Sequence, residues 1–231
     1  MTPPDLAGRL ARVRTLIRER QVAAGWTHPV QIVAVTKTHG PEAVRAAAAA
    51  GLEAVGENRV QEALAKQDAT GDVAIAWHLI GSLQRNKARH VVGRFALIHS
   101  VDRADLAQEL DRRVAADAAG RRQAVLVQVN CSSEPQKGGV EPAALPELLD
   151  ALTPLAALDV RGLMTMAALT EDVTEQRRAF RQLRTLRDEA EARGHRLPEL
   201  SMGMSGDYAA AVEEGATIVR LGTVLFGERE P

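Results

Sequence analysis

The chain has a single cysteine, Cys131, in 231 residues. That excludes an internal disulfide and any metal site built from several thiolates, so no metal is expected and Cys131 reads as an ordinary strand-end residue. No apolar run approaches the roughly 20 residues of a membrane-spanning helix. The start, Met1-Thr2-Pro3-Pro4-Asp5, lacks a charged segment followed by an apolar one, so no secretory signal is read there. Excess charge is missing as well. A formal net charge of −1 argues against a general affinity for nucleic acid or anionic membrane. Arginine pairs such as Arg112-Arg113 and Arg177-Arg178 stand beside acidic residues and read as solvated helix faces. There is no linker, low-complexity segment or close repeat. These absences lead us to expect a cytoplasmic protein; it is read as one domain over 1–231, with residues 1–25 as a leading helix packed on it, and as a monomer.

Lysine is scarce too. Only Lys37, Lys66, Lys87 and Lys137 occur. Lys66 and Lys87 fall in segments of helical polarity, and Lys137 in a Gly-rich loop. Lys37 alone follows directly on an apolar, β-rich run, Ile32-Val33-Ala34-Val35-Thr36. α/β folds carry their chemistry at such strand ends. A desolvated lysine amine there forms a Schiff base with an aldehyde. The plainer alternative is a strand-end lysine reaching into solvent.

What is present is an alternation. Leu6, Leu10, Val13 and Ile17 mark one face of a first helix, with Thr2 as its cap and Gly25 as its stop. Strands are then expected at 30–36, 53–55, 74–80, 95–99, 123–129, 158–163, 199–201 and 217–221. Helices are expected between them: one opened by Pro41, one after residue 58, a basic one over 82–92, one capped by Asp102, one holding Leu145 to Leu152, one from about Thr174 to Gly194, and one over 207–214. Eight strand-like runs alternating with helices imply a parallel sheet, and in roughly 230 residues they fit a (β/α)8 TIM-type barrel with an extra N-terminal helix. An open doubly wound sheet is the alternative, but no Gly-rich dinucleotide fingerprint follows the first strand.

The loops after strands seven and eight read Ser201-Met202-Gly203-Met204-Ser205-Gly206-Asp207 and Arg220-Leu221-Gly222-Thr223. Small residues expose backbone N–H groups, and Ser205 and Thr223 add hydroxyls. These two loops form a recurring phosphate site in barrels. A Schiff-base lysine opposite a phosphate cradle suits an aldehyde that carries a phosphate. Pyridoxal phosphate is one candidate, and a sugar phosphate in a cofactor-free aldolase is the other.

The ordered motifs Val35-Thr36-Lys37, Gly56-Glu57-Asn58-Arg59-Val60-Gln61-Glu62, Trp77-His78-Leu79-Ile80-Gly81-Ser82-Leu83-Gln84-Arg85-Asn86-Lys87, Arg161-Gly162-Leu163-Met164-Thr165-Met166, the serine-glycine loop at 201–207 and the segment from Arg220 to Gly227 span nearly the whole chain. On these the sequence resembles the pyridoxal phosphate homeostasis family, whose members look like the barrel domain of alanine racemases without its second domain. The resemblance implies that Lys37 holds pyridoxal phosphate as a Schiff base. It implies that Ser205, Gly206, Gly222 and Thr223 hold the phosphate, that Arg220 faces the pyridine nitrogen, and that Asn58 lies near the phenolic side. Ile80, Met164 and Met204 would wall the ring. His78 is either a cofactor contact or core packing, and Glu57 and Gln61 fix the loop and helix. The chain departs from the family pattern in the loop 131–139 and at Ala167-Ala168.

An arginine at the pyridine nitrogen disfavours its protonation and weakens the ring as an electron sink. A racemase also needs an acid/base on each face of the ring, and the one tyrosine, Tyr208, falls in the helix after strand seven. The resemblance therefore implies a carrier acting in vitamin B6 homeostasis, with no catalytic residue assigned and pyridoxal-phosphate-dependent apoenzymes as its partners. A small racemase or lyase using the same cofactor is the alternative.

Overall fold

Eight parallel strands close into one barrel in chain order, with β8 returning to pair with β1. The computed structural model describes residues 5–117, 120–132, 134 and 137–227. The strands are β1 (Gln31–Val35), β2 (Ala54–Glu57), β3 (Ala76–Leu79), β4 (Leu97–Val101), β5 (Gln123–Gln128), β6 (Leu158–Met164), β7 (Glu199–Ser201) and β8 (Ile218–Leu221). The helices are α1 (Leu6–Ala24), α2 (Pro41–Ala49), α3 (Val60–Ala69), α4 (Ala104–Ala115), α5 (Leu145–Leu152), α6 (Val173–Ala192), α7 (Tyr208–Glu213) and the single-turn α8 (Thr223–Phe226).

Alternation along the strands sorts side chains into two cores. Val33, Ala54, Leu97, Leu126, Met164 and Ile218 plug the barrel interior. Neighbours one residue away, such as Ala34, Val55, Ile98, Val127 and Val219, face the helical shell. The four apolar positions expected on α1 are all buried, and α1 packs on α7 and α8. Its stop is Gly25 in the left-handed conformation, and Trp26 Nε1 donates to Glu213 O at 3.0 Å beyond it. No helix among the described residues is long and apolar enough to cross a membrane.

Four expectations change. The cap proposed at Thr2 lies outside the described residues; α1 is capped by Asp5, whose carboxylate accepts from Gly8 N at 3.2 Å. The helix expected over 82–92 is only a 3-10 turn, Arg85–His90. Apart from Leu83, Ala88 and Val91 the segment buries no hydrophobic side chain, so no apolar stripe supports a full α-helix. β4 extends to Val101, so Asp102 does not cap α4 but pairs with Arg103 at 2.6 Å. Arg177 is not merely solvated. Arg177 and Arg181 of α6 reach the buried Glu214 at 2.9 and 2.8 Å, joined by Arg184 at 3.5 Å, and tie α6 to the end of α7.

β6 needs a glycine where it crosses β7. Gly162 has φ +157°, and a Cβ there would lie 1.9 Å from Glu199 O. Gly162→Ala is therefore expected to cost about 3 kcal/mol or more, read from denaturant unfolding, because the obstacle is backbone of the neighbouring strand.

Candidate cofactor site

The side chains of interest gather where the strands end. Lys37 follows β1, Asn58 follows β2, His78 and Ile80 belong to the end of β3, and Met164 to the end of β6. Met204, Ser205 and Gly206 follow β7, while Arg220, Gly222 and Thr223 belong to the end of β8 and the start of α8. Lys37 is half-buried and makes no hydrogen bond or ion pair with a described residue. Asn58 is exposed, and its backbone presses on Gly81, where a Cβ would meet Asn58 O at 2.3 Å. Met204 is exposed at the rim, whereas Met164 belongs to the apolar plug below. Ile80 overhangs Gly56, where a Cβ would lie 3.1 Å from its Cδ1.

The turn that carries Lys37 is held from both sides. Lys66, buried in α3, donates to Thr36 O at 2.8 Å, to Glu57 Oε1 at 2.6 Å and to Glu62 Oε1 at 3.1 Å. Glu62 Oε1 in turn accepts from Thr38 N at 3.0 Å. Thr38 has φ +68°, a strained setting for a β-branched residue that needs such support. Both residues that flank Lys37 are thus tethered to one ammonium group. Glu57, 0% exposed, also accepts from Thr36 Oγ1 at 2.6 Å, while its Oε2 has no hydrogen-bond partner among the described residues. Burial raises the Glu57 carboxyl above its ordinary value, against the pull of Lys66 and Thr36. The sequence assigns Lys66 only to a segment of helical polarity, with no burial read from it. It lies on the Val60–Ala63 face of α3, among the buried residues.

Across the mouth, Gly222 N and Val224 N both donate to Ser205 Oγ, at 3.2 and 3.3 Å. Two amides and a hydroxyl therefore converge on one point, and Gly206 beside them has nothing within 4 Å of a would-be Cβ. Gly222 rests against Val35 of β1, and the His39 and Phe226 rings lie 5.2 Å apart, so the cradle adjoins the Lys37 turn. An amine beside a cluster of hydroxyl and backbone N–H groups fits a phosphorylated aldehyde.

Below the mouth a polar string crosses the interior. Arg220, 4% exposed, donates to Ser201 Oγ at 2.6 Å and to Thr165 O at 2.8 Å. Ser201 Oγ meets His99 Nδ1 at 2.9 Å, and His99 Nε2 meets His78 Nδ1 at 3.0 Å. Burial draws the Arg220 guanidinium down to about 10, which leaves it charged at neutral pH. Burial lowers His78 to about 4 and His99 well below the ordinary histidine range, the latter also opposed by Arg220. Sequence reasoning passed over His99, Ser201 and Thr165. Strand alternation held the signal for His99, which shares the inward face with Leu97.

The two loops that depart from the family pattern meet each other. Lys137 Nζ donates to Ala167 O and pairs with Glu134 at 2.6 Å; Ser133, Pro135 and Gln136 lie outside the described residues. Cys131 is buried, and burial pushes its thiol up to about 11.

A family model described as the alanine racemase N-terminal domain matches residues 11–230. The pyridoxal phosphate homeostasis protein of Aquifex aeolicus is 45% identical over 96% of this chain and 97% of its own. That of Pseudomonas aeruginosa is 43% identical over 97% and 96%. PipY of Synechococcus elongatus, solved with PLP bound, superposes with a TM-score of 0.84 at 43% identity, covering 96% of this chain and all of that one. An alanine racemase from Clostridium difficile, at 14% identity and a TM-score of 0.75, shares the fold over 98% of this chain and 60% of its own.

Lys66→Met strands the Glu57 charge in the interior and is expected to cost about 3 kcal/mol in denaturant unfolding. Adding Glu57→Gln should recover part of that loss, because it removes the uncompensated charge. Acid unfolding reports on the imidazoles. A histidine lowered in the fold is protonated first in the unfolded chain, so stability falls as pH drops from about 6.5 toward 4. His78 alone contributes roughly 3 kcal/mol to that slope, and His78→Phe is expected to flatten it in a pH series of unfolding curves.

Proposed function

Because the chain belongs to the pyridoxal phosphate homeostasis family, on the fold of the alanine racemase N-terminal domain, we propose that it binds pyridoxal phosphate reversibly as a Schiff base on Lys37. In this role it keeps a reactive aldehyde in store in the cytoplasm and releases it to apoenzymes, acting as a monomer. The observation that carries the reading is the unpartnered lysine beside the Ser205 cradle in one barrel mouth.

When bound, the cofactor supplies an aldehyde carbon open to amines and an electron-withdrawing ring. This chain's residues do the holding. Ser205, Gly206, Gly222 and Thr223 would take the phosphate on hydroxyls and backbone N–H groups. Arg220, pinned by Ser201 and Thr165, would meet the ring nitrogen as a fixed cation and keep a proton off it. Asn58 would stand by the phenolic oxygen, with Ile80, Met164 and Met204 around the ring and His78 at its floor. The network under Lys37 would keep the amine in place between binding and release.

The reading is of a carrier, not an efficient catalyst. Arg220 withholds the ring proton that makes this cofactor a strong electron sink, and Tyr208 is packed into α7, 8% exposed. Cofactor titration followed by visible absorbance tests the proposal. The wild type should develop a Schiff-base band, and Lys37→Ala should lose it with affinity down more than about tenfold. An unchanged band in Lys37→Ala contradicts the assignment.

A further inference from the structure

The polar string in the barrel interior has a direction, and one member sets it. Arginine has donors only. Arg220 gives one N–H to Ser201 Oγ and another to Thr165 O. Ser201 is fully buried, and among the described residues its Oγ meets only Arg220 and His99 Nδ1. The hydroxyl proton therefore goes to His99 Nδ1. His99 is then the neutral Nε2–H tautomer and donates to His78 Nδ1, which leaves His78 as the Nε2–H tautomer too. The reverse order would aim two donors at Ser201 Oγ and leave its buried proton without an acceptor. Protonating both facing nitrogens would crowd two hydrogens into the 3.0 Å between the rings.

The far end of the chain is open. Nothing among the described residues pairs with His78 Nε2. It is not one of the fully occluded polar atoms that lack a partner, so part of its surface stays accessible. His78 stands level with Gly56, whose missing side chain leaves room that Val33 and Ile80 occupy, and two positions before Ile80.

We propose that Arg220 orients this chain so that the barrel floor presents one fixed donor, His78 Nε2–H, which selects a ligand with an acceptor oxygen there. The ligand half rests on the pyridoxal phosphate reading; the tautomers belong to the protein alone. Ser201 and His99 are positioning residues. The charged groups around the string are Arg220 itself, from β8, and Asp207, which acts on Arg220 from the loop after β7. His78 from β3, His99 from β4 and Ser201 from β7 are neutral. Arg220 and burial both oppose a proton on His99, so the direction persists into mildly acidic solution.

Long-range ¹H–¹⁵N correlation of the histidine rings in the full chain, without cofactor, reads the tautomers directly. His78→Asn and His99→Asn assign the two rings. Both should be neutral Nε2–H tautomers from about pH 5.5 to 8, a range in which a free imidazole would titrate. An Nδ1–H tautomer or an imidazolium at either ring overturns the proposal. Ser201→Ala should let His99 populate both tautomers, and Ser201→Thr should restore one. Arg220→Gln, whose amide accepts as well as donates, should scramble them as well; fixed tautomers in that variant overturn the role of Arg220. His78→Phe should weaken pyridoxal phosphate binding about tenfold while the Lys37 band survives. Unchanged affinity overturns the ligand half and leaves the carrier reading standing. A wild-type chain that binds no pyridoxal phosphate overturns both, whatever its tautomers.

Discussion

One buried ammonium carries the weight of this site. Lys66 answers two carboxylates and a carbonyl, and through them it grips the residues on either side of Lys37. The arrangement is costly to build, since it takes charges out of water and leaves one oxygen of Glu57 without a hydrogen-bond partner among the described residues. What it secures is a lysine in a turn, clear of any ion pair with a described residue and next to a threonine of positive φ. A reactive amine needs that clearance, because an ion pair would hold its proton.

The barrel supplies the second constraint. A closed parallel sheet has no edge and a packed centre. The lower interior of this one is apolar, with Val33, Leu97, Leu126 and Ile218 in contact, while the end nearer the mouth holds imidazoles, a hydroxyl and a guanidinium. Its hydrogen bonds run from strand to strand, from His78 of β3 to His99 of β4, on to Ser201 of β7 and then to Arg220 of β8. Ser201 alone joins β4, β7 and β8. The layer holds Arg220 on Ser201 and Thr165, with no carboxylate among the described residues hydrogen-bonded to it.

The fold and the rim of the site were legible in the sequence for a simple reason. Strand and helix periods differ, and the loops after β7 and β8 are short, local and rich in glycine and hydroxyls. Interior contacts were less legible, because they depend on register between strands that are far apart in the chain. His99 looked like a strand-end residue although its alternation with Leu97 pointed it inward. Lys66 followed Val60 and Ala63 at intervals of three, which put it on the buried stripe, but lysine is so seldom buried that composition outweighed position. The segment 82–92 misled in the opposite way: its polarity suited a helix, yet it lacked the apolar face that would have held one.

The central claim is that Lys37, among four lysines, bears the cofactor. Borohydride reduction of the protein loaded with pyridoxal phosphate, followed by peptide mass mapping, tests it most directly. The account predicts one reduced adduct, on the peptide containing Lys37, with Lys66 unmodified in its buried pair. An adduct on Lys66, Lys87 or Lys137 with Lys37 untouched, or no adduct at all, would contradict it.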